Sequence, residues 1–193
     1  MKAADRTLPS TEQLEQELQR TKQRASKHTA LRSALYTLLV AAAVTVLIAT
    51  LWLPVLRIYG SSMSPTMQDG DILLTVKTAS FRRGDIIAFY YNNKILVKRV
   101  IAMEGDSVEI DPQGTVFLNG VPQEEPYLSE KTLGEADISF PYQVASNRLF
   151  VMGDHRATSV DSRSSAVGCV SQEQIVGKII FRVWPLNRFG TVS

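Results

Sequence analysis

A run of 24 residues without a charged side chain, from Ser33 to Leu56, constrains this chain more than any other feature. As an α-helix it would be about 36 Å long, which exceeds the roughly 30 Å hydrocarbon core of a bilayer. A cleaved signal peptide would have an apolar region of only about 7–15 residues that ends in small side chains. Here three alanines lie in the middle of the run, and Trp52 stands near its end, where an interfacial aromatic belongs. The run therefore predicts an uncleaved transmembrane helix at residues 33–56.

The charges on either side of this run predict its orientation. The preceding segment, residues 1–32, is polar, and its stretch TEQLEQELQRTKQRASK predicts a solvated helix. The twenty positions after the run contain a single basic residue, Arg57, together with two aspartates. Because basic residues remain on the cytoplasmic side, we expect a cytoplasmic N-terminal segment and an extracytoplasmic domain at residues 57–193. Five basic residues precede the run with no acidic residue among them: Arg20, Lys22, Arg24, Lys27 and Arg32.

The composition argues against several kinds of function. The net charge is only +2, which is too small for a dedicated nucleic-acid-binding protein. Cys169 is the only cysteine, so neither a disulfide within the chain nor a cysteine-based metal cluster can form. The two histidines, His28 and His155, are too few and too far apart in sequence for a zinc site. The composition therefore predicts neither a cysteine-based metal cluster nor a zinc site.

The part of the chain after the apolar run has the pattern of a β-domain. Six segments are rich in β-branched and aromatic residues, as strands are. The Asn-Gly pair in TVFLNGVPQ (115–123) predicts a hairpin with a type I′ turn. The sequence therefore predicts a mainly β fold, in which an antiparallel, barrel-like core carries a smaller inserted β-subdomain at about residues 103–147. The six segments are ILLTV (72–76), IIAFYY (86–91), KILVKRVI (94–101), SVEI (107–110), RLFVM (148–152) and IVGKIIFRV (175–183).

A serine-rich turn, GSSMSPTM (60–67), follows the apolar run almost directly. Pro65 restricts its own backbone and that of Ser64, and Gly60 permits a positive φ. A serine in such a turn is either a turn former, whose hydroxyl bonds its own backbone, or a nucleophile. A nucleophilic serine needs a base. One candidate is His155 in GDHRATSVDSR, which could form a serine–histidine–aspartate arrangement with one of the aspartates in its own segment.

The second candidate base is Lys98 in KILVKRVI. At an ordinary pKa of about 10.4, a lysine is almost never neutral at pH 7, but burial can lower that pKa by about 3–5 units. Alternation along a strand places Lys98 on one face with Leu96 and Val100, an apolar setting that suits such a shift. The alternative is a lysine whose ammonium group extends from the strand to water.

Five motifs follow the apolar run in order: GSSMSPTM, GDILLTV, RRGDIIAF, VKRVIAMEGD and MGDHRATSVDSR. Together they resemble the motifs of the type I signal peptidases, which are membrane-bound serine proteases that remove signal peptides from exported proteins. The resemblance covers residues 58–184, and the single span resembles the type found in Gram-positive bacteria. It implies a β-rich catalytic core with a smaller inserted β-subdomain, in agreement with the strand pattern.

The resemblance also implies catalytic roles. Ser62, in S-M-x-P-T, matches the family's nucleophile, and Lys98, directly before an arginine, matches its general base. Ser159 and Asp161 match the residues that orient the lysine and close the site. The reaction implied is attack by the serine to form an acyl-enzyme, followed by hydrolysis, with no cofactor.

Further residues match the family's supporting positions. Asp154 and Arg163 are implied to form a structural ion pair. Ile58, Met63 and Val97 match the walls of shallow pockets for small side chains at substrate positions −1 and −3, as in A-x-A cleavage sites. The implied partners are preproteins that carry a signal peptide and the lipid bilayer, with no nucleic acid and no metal.

The chain departs from the family's usual pattern at four positions. His155, Ala157 and Thr158 replace Asn, Asp and Asn. Gly60 stands where some members have a serine that donates to the oxyanion, which leaves the amide of Ser62 as the expected donor. Two alternatives stay open: a self-cleaving Ser/Lys protease of related fold, and an anchored non-catalytic β-domain for binding or scaffolding.

Overall fold

The computed structural model describes residues 11–192 and begins with one long helix. Helix α1, Thr11–Trp52, contains 42 residues and joins the predicted polar helix to the uncharged run. It ends before the predicted end at Leu56, because Pro54 disfavours helical geometry at the preceding residue and offers no amide hydrogen. Val55 and Leu56 instead pair with a strand of the domain. The first ten residues of the predicted cytoplasmic segment lie outside the described residues.

One stretch of α1, Ala30–Leu47, is the only part of the described chain that is long and apolar enough to cross a membrane. Its mean hydropathy is 1.8, and none of it is buried. The hydroxyls of Thr37 and Thr45 donate to the carbonyls of Ser33 and Ala41, one turn earlier, over 2.9 Å. These bonds provide partners for donors that hydrocarbon cannot satisfy. The length, composition and hydrogen bonding of this stretch therefore all suit a membrane anchor.

Twelve β-strands and two 3-10 helices follow α1 in the described chain. The 3-10 helices are Gln172–Gln174 and Leu186–Arg188. Each of the six strands predicted from the sequence is present, and each agrees with its predicted ends to within one residue. In chain order, the strands are β1 Val55–Arg57, β2 Ile72–Val76, β3 Ile86–Tyr91, β4 Lys94–Ala102, β5 Ser107–Ile110, β6 Val116–Leu118, β7 Val121–Pro122, β8 Tyr142–Gln143, β9 Arg148–Met152, β10 Val170–Ser171, β11 Ile175–Trp184 and β12 Gly190–Thr191.

The strands form two antiparallel sheets. The larger has the order β1-β2-β11-β3-β4-β9-β10, with β12 beside β11, and the smaller has the order β7-β6-β5-β8. The smaller sheet lies between β4 and β9 in the chain, so it is an insertion into the larger one. Its β6–β7 hairpin turns at Asn119 and Gly120, whose φ angles of 53° and 78° are those of the predicted type I′ turn. The predicted mainly β fold, with a helix before it and a smaller inserted β-subdomain, is confirmed.

Three clusters of buried apolar side chains fix the parts of the domain. One joins the inserted sheet to β9 and includes Val108 and Phe150. A second lies among β3, β4 and β9. The third holds the connection between β1 and β2, residues 58–71, against the larger sheet, with Met63 and Leu73 among its members. This connection, called the serine turn below, and strand β4 are thus both fixed by packing, and they carry Ser62 and Lys98.

Candidate active site

Hydrogen bonds at its base close the serine turn. The amide of Ile58 donates to the carbonyl of Asp71 over 2.8 Å, which brings the two ends of the turn together. Gly60 has a φ of 88°, in the region that favours glycine, and its amide donates to Asp69 Oδ1 over 2.8 Å. The backbone on the N-terminal side of Ser62 is therefore held in one conformation.

Ser62 itself is left free by this arrangement. The neighbouring side chains of Met63 and Met67 are buried in the third apolar cluster, whereas Ser62 is half-buried. Among the described residues, neither the hydroxyl nor the amide of Ser62 hydrogen-bonds to another protein group. An available hydroxyl and an available amide are what a nucleophile and an oxyanion donor require. The amide of Gly60 is already bound to Asp69, so it does not serve as a second donor in this conformation.

Lys98 lies in β4, where both faces of the strand are covered. The β3–β4 hairpin turns at Asn92 and Asn93, which both have positive φ, and this sets Lys98 opposite Ile87. Val100, two residues further along the strand, is buried in the second apolar cluster. Only 3% of Lys98 is exposed, and no carboxylate of the described chain lies within ion-pair distance of its nitrogen. Of the two settings that the sequence left open for Lys98, the structure therefore shows the buried one and not a side chain that extends to water.

The surroundings of Lys98 favour its neutral form. Burial lowers the pKa of Lys98 from 10.5 to about 8. The charge of Asp161 opposes this decrease, Arg163 adds to it, and Asp154 opposes it. Desolvation is the largest of these effects, as expected for an ammonium group removed from water without a partner of its own. Lys98 is thus suited to accept a proton near neutral pH.

The β9–β10 loop, residues 153–169, brings a second set of predicted residues to the serine turn. The amide of His155 donates to the carbonyl oxygen of Ser62 over 3.0 Å. A Cβ atom added to Gly153 would overlap both Ser159 Oγ and that same carbonyl oxygen, so a side chain does not fit at Gly153. Ser159 and the backbone of Ser62 are therefore neighbours, packed on either side of a glycine that the sequence analysis did not single out.

Asp161 is held in place by a neighbour in the same loop. Its oxygens accept hydrogen bonds from Nε and Nη2 of Arg163, each over 2.8 Å. The amide of Gly153 also donates to Asp161 Oδ2 over 2.9 Å. All of these groups are buried, so the hydrogen bonds hold the carboxylate in one orientation. Asp161 thus connects Arg163 to Gly153, the glycine that is packed between Ser159 and the carbonyl of Ser62.

The predicted ion pair between Asp154 and Arg163 is wrong. Asp154 is instead paired with Arg99, whose Nε and Nη2 donate to its two oxygens over 2.9 and 2.8 Å. The register explains this partner, because Arg99 lies opposite Met152 across β4 and β9, two residues before Asp154. Arg163 is occupied by the carboxylate two residues before it, that of Asp161.

Two predicted interactions are not formed in this structure. No hydrogen bond joins Ser62 Oγ to Lys98 Nζ among the described residues, and Ser159 Oγ is buried without a hydrogen-bond partner. In enzymes without substrate, catalytic hydrogen bonds are often long and tighten only when substrate binds. Both hydroxyls are therefore available for a lysine amine that approaches them.

His155 lacks the surroundings of a catalytic histidine. Its Nδ1 lies 2.6 Å from Thr158 Oγ1, and the two aspartates of the loop are bound by arginines. A serine–histidine–aspartate arrangement requires one of those carboxylates on the imidazole. His155 is not part of a metal site either, since no three His, Cys, Asp or Glu side chains within residues 11–192 are grouped to hold an ion.

An apolar pocket of about 560 Å³ opens beside Ser62. All three residues predicted to contact substrate line it, and two of them, Ile58 and Met63, are almost fully buried. These side chains therefore present only a small part of their surface to the pocket. The apolar and hydroxyl-bearing residues around it are Leu56, Ile58, Met63, Leu96, Val97 and Ser62, among others.

Other residues of the site were not predicted. Thr66 Oγ1 donates to Asp154 Oδ2, which joins the serine turn to the β9–β10 loop. The guanidinium carbon of Arg99 lies 3.9 Å from the ring centre of Tyr127, a residue of the inserted part of the chain. One signal was available in the sequence, because Arg99 follows Lys98 in a strand whose other residues after Lys94 are apolar. When both faces of a strand are buried, a second cation there needs a carboxylate partner.

Comparison with known proteins identifies the family. The model of the family described as signal peptidase, peptidase S26, matches residues 31–184. A signal peptidase IB of Staphylococcus aureus is 33% identical over 170 residues, which cover 78% of this chain and 87% of that protein. A signal peptidase I of Bacillus licheniformis is 31% identical over 175 residues, covering 84% and 93%. A crystal structure of a signal peptidase I from Enterococcus faecalis covers 53% of this chain and 98% of its own, with 30% identity and a TM-score of 0.43.

The family match includes the apolar part of α1 from residue 31 onwards and every strand of the two sheets except β12. The match confirms the prediction that the chain is an enzyme, and it disfavours the alternative of a non-catalytic β-domain. The chain, with its buried lysine and its serine free of hydrogen bonds from the hydroxyl in the described structure, belongs to the signal peptidase family, peptidase S26, and is a serine protease.

Proposed function

We propose that this chain cleaves N-terminal signal peptides from exported preproteins, with Ser62 as the nucleophile and Lys98 as the general base. The main support is the state of Lys98, which is buried without a carboxylate partner. The three buried arginines of the domain, Arg99, Arg156 and Arg163, each have such a partner. A guanidinium in the interior keeps its charge and needs a partner, whereas the amine of Lys98, with its pKa lowered to about 8, can release its proton.

In the proposed reaction, Ser62 Oγ attacks the carbonyl carbon of the scissile peptide bond, and the neutral amine of Lys98 takes the hydroxyl proton. The carbon–nitrogen bond then breaks, and the amine of the mature protein leaves with that proton. Lys98 next takes a proton from water, whose oxygen attacks the ester carbon. The bond between that carbon and Ser62 Oγ then breaks, Lys98 returns the proton to Ser62 Oγ, and the signal peptide leaves as a carboxylic acid that ionises in water. At pH 7, a pKa of about 8 leaves about a tenth of the lysines neutral.

The surrounding groups support the two reacting residues. The amide of Ser62 donates to no protein group, so it is available for the oxyanion of the tetrahedral intermediate. Ser159 Oγ, which is buried without a partner, is available to bind the Lys98 nitrogen. The charge of Asp161 attracts the protonated form of Lys98. Together, Ser159 and Asp161 orient the lysine towards the serine.

The apolar pocket beside Ser62 is the proposed site for substrate residues −1 and −3. Ile58, Met63 and Val97 line it with Ser62, so residues on the N-terminal side of the scissile bond contact aliphatic surface next to the nucleophile. Small side chains at positions −1 and −3 suit this surface, as in the A-x-A pattern of cleavage sites. We expect a peptide with alanine at −1 to be cleaved and one with phenylalanine there to be resistant.

The bilayer is the second proposed partner. The apolar stretch of α1 serves as the anchor, with residues 1–32 in the cytoplasm and residues 57–193 outside. Protease added to intact protoplasts should then digest the domain and leave an N-terminal tag intact. Digestion of the tag with a protected domain would mean the opposite orientation and would place the enzyme on the wrong side for exported proteins.

A peptide assay with the full-length protein in detergent tests the catalytic proposal. Wild-type protein should cleave an A-x-A peptide after the second alanine, and Ser62→Ala should abolish cleavage. Ser61→Ala is the matched control, because Ser61 lies in the same turn and is exposed, with no hydrogen bond from its hydroxyl in the described structure. Cleavage that survives Ser62→Ala but not Ser61→Ala would refute the assignment of the nucleophile.

A further inference from the structure

The segment that follows β7, residues 123–128, reaches from the inserted sheet to the β9–β10 loop. We call it the β7 segment. Its Glu125 is buried and accepts hydrogen bonds from Nη1 and Nη2 of Arg156. The hydroxyl of Tyr127 donates to the same carboxylate over 2.8 Å. The ring of Tyr127 lies against the guanidinium of Arg99, 3.9 Å from its central carbon.

The two arginines contacted by the β7 segment hold adjacent residues of the β9–β10 loop. Arg156 Nε donates to the carbonyl of Gly153 over 3.1 Å. Arg99 binds both oxygens of Asp154. The next amide, that of His155, donates to the carbonyl of Ser62. A single arginine therefore connects each of Glu125 and Tyr127 to the part of the β9–β10 loop whose backbone contacts the serine turn.

Both contacts are buried and depend on charge. Arg156 is 1% exposed, and Glu125 is its only carboxylate partner among the described residues. Loss of that carboxylate would leave a buried cation unpaired, and the guanidinium would have to move or recruit water. Burial, and then the charge of Glu125, raise the pKa of Tyr127. Its hydroxyl therefore remains a donor at the alkaline pH at which Lys98 loses its proton.

We propose that Glu125 and Tyr127 are positioning residues for catalysis, which act through Arg156 and Arg99 on the backbone beside Ser62. The inserted sheet then contributes to the reaction and is not only a surface addition. This inference rests on the proposed function, because it assumes that Ser62 is the group being positioned. A displacement of about 1 Å at a reacting group can reduce turnover about 100-fold.

The test measures kcat and KM of full-length variants in detergent on the A-x-A peptide, per molecule of folded enzyme. Glu125→Gln keeps the shape of the side chain and removes its charge. We expect kcat to fall about 30- to 100-fold, with KM changed less than about threefold, because the serine is misplaced while the apolar pocket is intact. Glu124→Gln is the matched control, an exposed glutamate one residue away without a partner in the described structure, and it should leave both constants unchanged.

A pair of variants at Tyr127 gives a second, independent readout. Tyr127→Phe keeps the ring over Arg99 and should retain activity within about fivefold of wild type, whereas Tyr127→Leu removes the ring and should lower kcat about 30-fold. If Glu125→Gln does not fold, the two Tyr127 variants decide whether the positioning role holds.

Wild-type kcat in Tyr127→Leu, or a loss confined to thermal stability, would overturn the inference. If Ser62→Ala is inactive and these variants are fully active, the positioning role fails and the proposed function stands. If Ser62→Ala is active, the proposed function fails first.

Discussion

Two consecutive residues of β4, Lys98 and Arg99, have buried cationic side chains in opposite surroundings. Arg99 donates to both oxygens of Asp154 and to the carbonyl of Gly84, and it stacks on the ring of Tyr127. Lys98, one residue earlier and equally buried, has no carboxylate partner in the described chain. Consecutive residues of one strand therefore carry one cation that is hydrogen-bonded to a carboxylate and one that has no carboxylate partner in the described chain.

The difference shows what each cation is suited to do. A guanidinium keeps its charge at any pH that a protein tolerates, so its burial requires a partner and the pair becomes structural. An ammonium group can instead release its proton, and burial without a partner lowers the pKa of Lys98 to about 8. The paired arginine is therefore suited to a structural role, and the unpaired lysine is suited to exchanging its proton.

The largest expected effect comes from making position 98 resemble position 99. Lys98→Arg keeps a cation that cannot lose its proton, so peptide cleavage should fall at least about 1,000-fold, as it should in Lys98→Ala. Lys77→Arg, at an exposed position after β2, is the matched control and should cleave normally. Substantial cleavage by Lys98→Arg would remove Lys98 from the role of general base.

The second prediction tests the ion pair between Arg99 and Asp154 by removing its cation. Arg99→Met should lower the free energy of unfolding by about 3–5 kcal/mol, because it leaves the buried carboxylate of Asp154 without a cationic partner. Denaturant unfolding in detergent measures the change. The double variant Arg99→Met/Asp154→Leu should recover part of the loss. A change below about 1 kcal/mol in the single variant would show that the pair is not structural.

The third prediction concerns the effect of the unpaired Lys98 on the free energy of unfolding. The pKa of Lys98 is lower in the folded state than in the unfolded state, so the unfolded state binds the proton more tightly. Lys98→Met should therefore raise the free energy of unfolding by about 3 kcal/mol at pH 7. The gain should shrink between pH 8 and 10.5 and vanish above that range. A destabilised Lys98→Met protein at pH 7 would mean that the lysine has a stabilising partner.

The smallest expected effect separates the lysine from the histidine. His155→Ala should change peptide cleavage by less than about fivefold, because His155 contacts Ser62 through its backbone amide and not through its ring. Its kcat and KM are measured beside those of Lys98→Ala. An inactive His155→Ala together with an active Lys98→Ala would reverse the comparison and favour a histidine-based mechanism.

Much of the fold was predictable because its longer strands carry a regular pattern. The six predicted strands alternate or cluster β-branched residues over four or more positions, and the Asn-Gly pair marked its hairpin. Strands β1, β8, β10 and β12 have only two or three residues, too few for any periodicity. Val55 and Leu56 were assigned to the span because an aliphatic residue suits a bilayer and a strand equally well.

The site was predictable where a single residue determines the chemistry and not where partners must be chosen. The motif resemblance singled out Lys98, whereas alternation in β4 alone left its side chain either buried or extending to water, and the structure shows it buried. Asp154 was paired with the wrong arginine, because its partner, Arg99, comes from a strand 55 positions earlier in the chain. Tyr127 was missed because nothing in its irregular segment shows that it reaches the guanidinium of Arg99.

The pKa of Lys98, measured directly, tests the central claim most simply. Selectively labelled lysine can be followed by NMR in full-length Ser62→Ala protein, where turnover is absent, and Lys98→Met identifies the signal. The Lys98 signal should titrate with a midpoint near pH 8, well below the remaining lysines, since burial without a partner disfavours the ammonium form. A midpoint near 10.5 would show a charged, solvated or paired lysine at neutral pH, and Lys98 could not then be the base for Ser62.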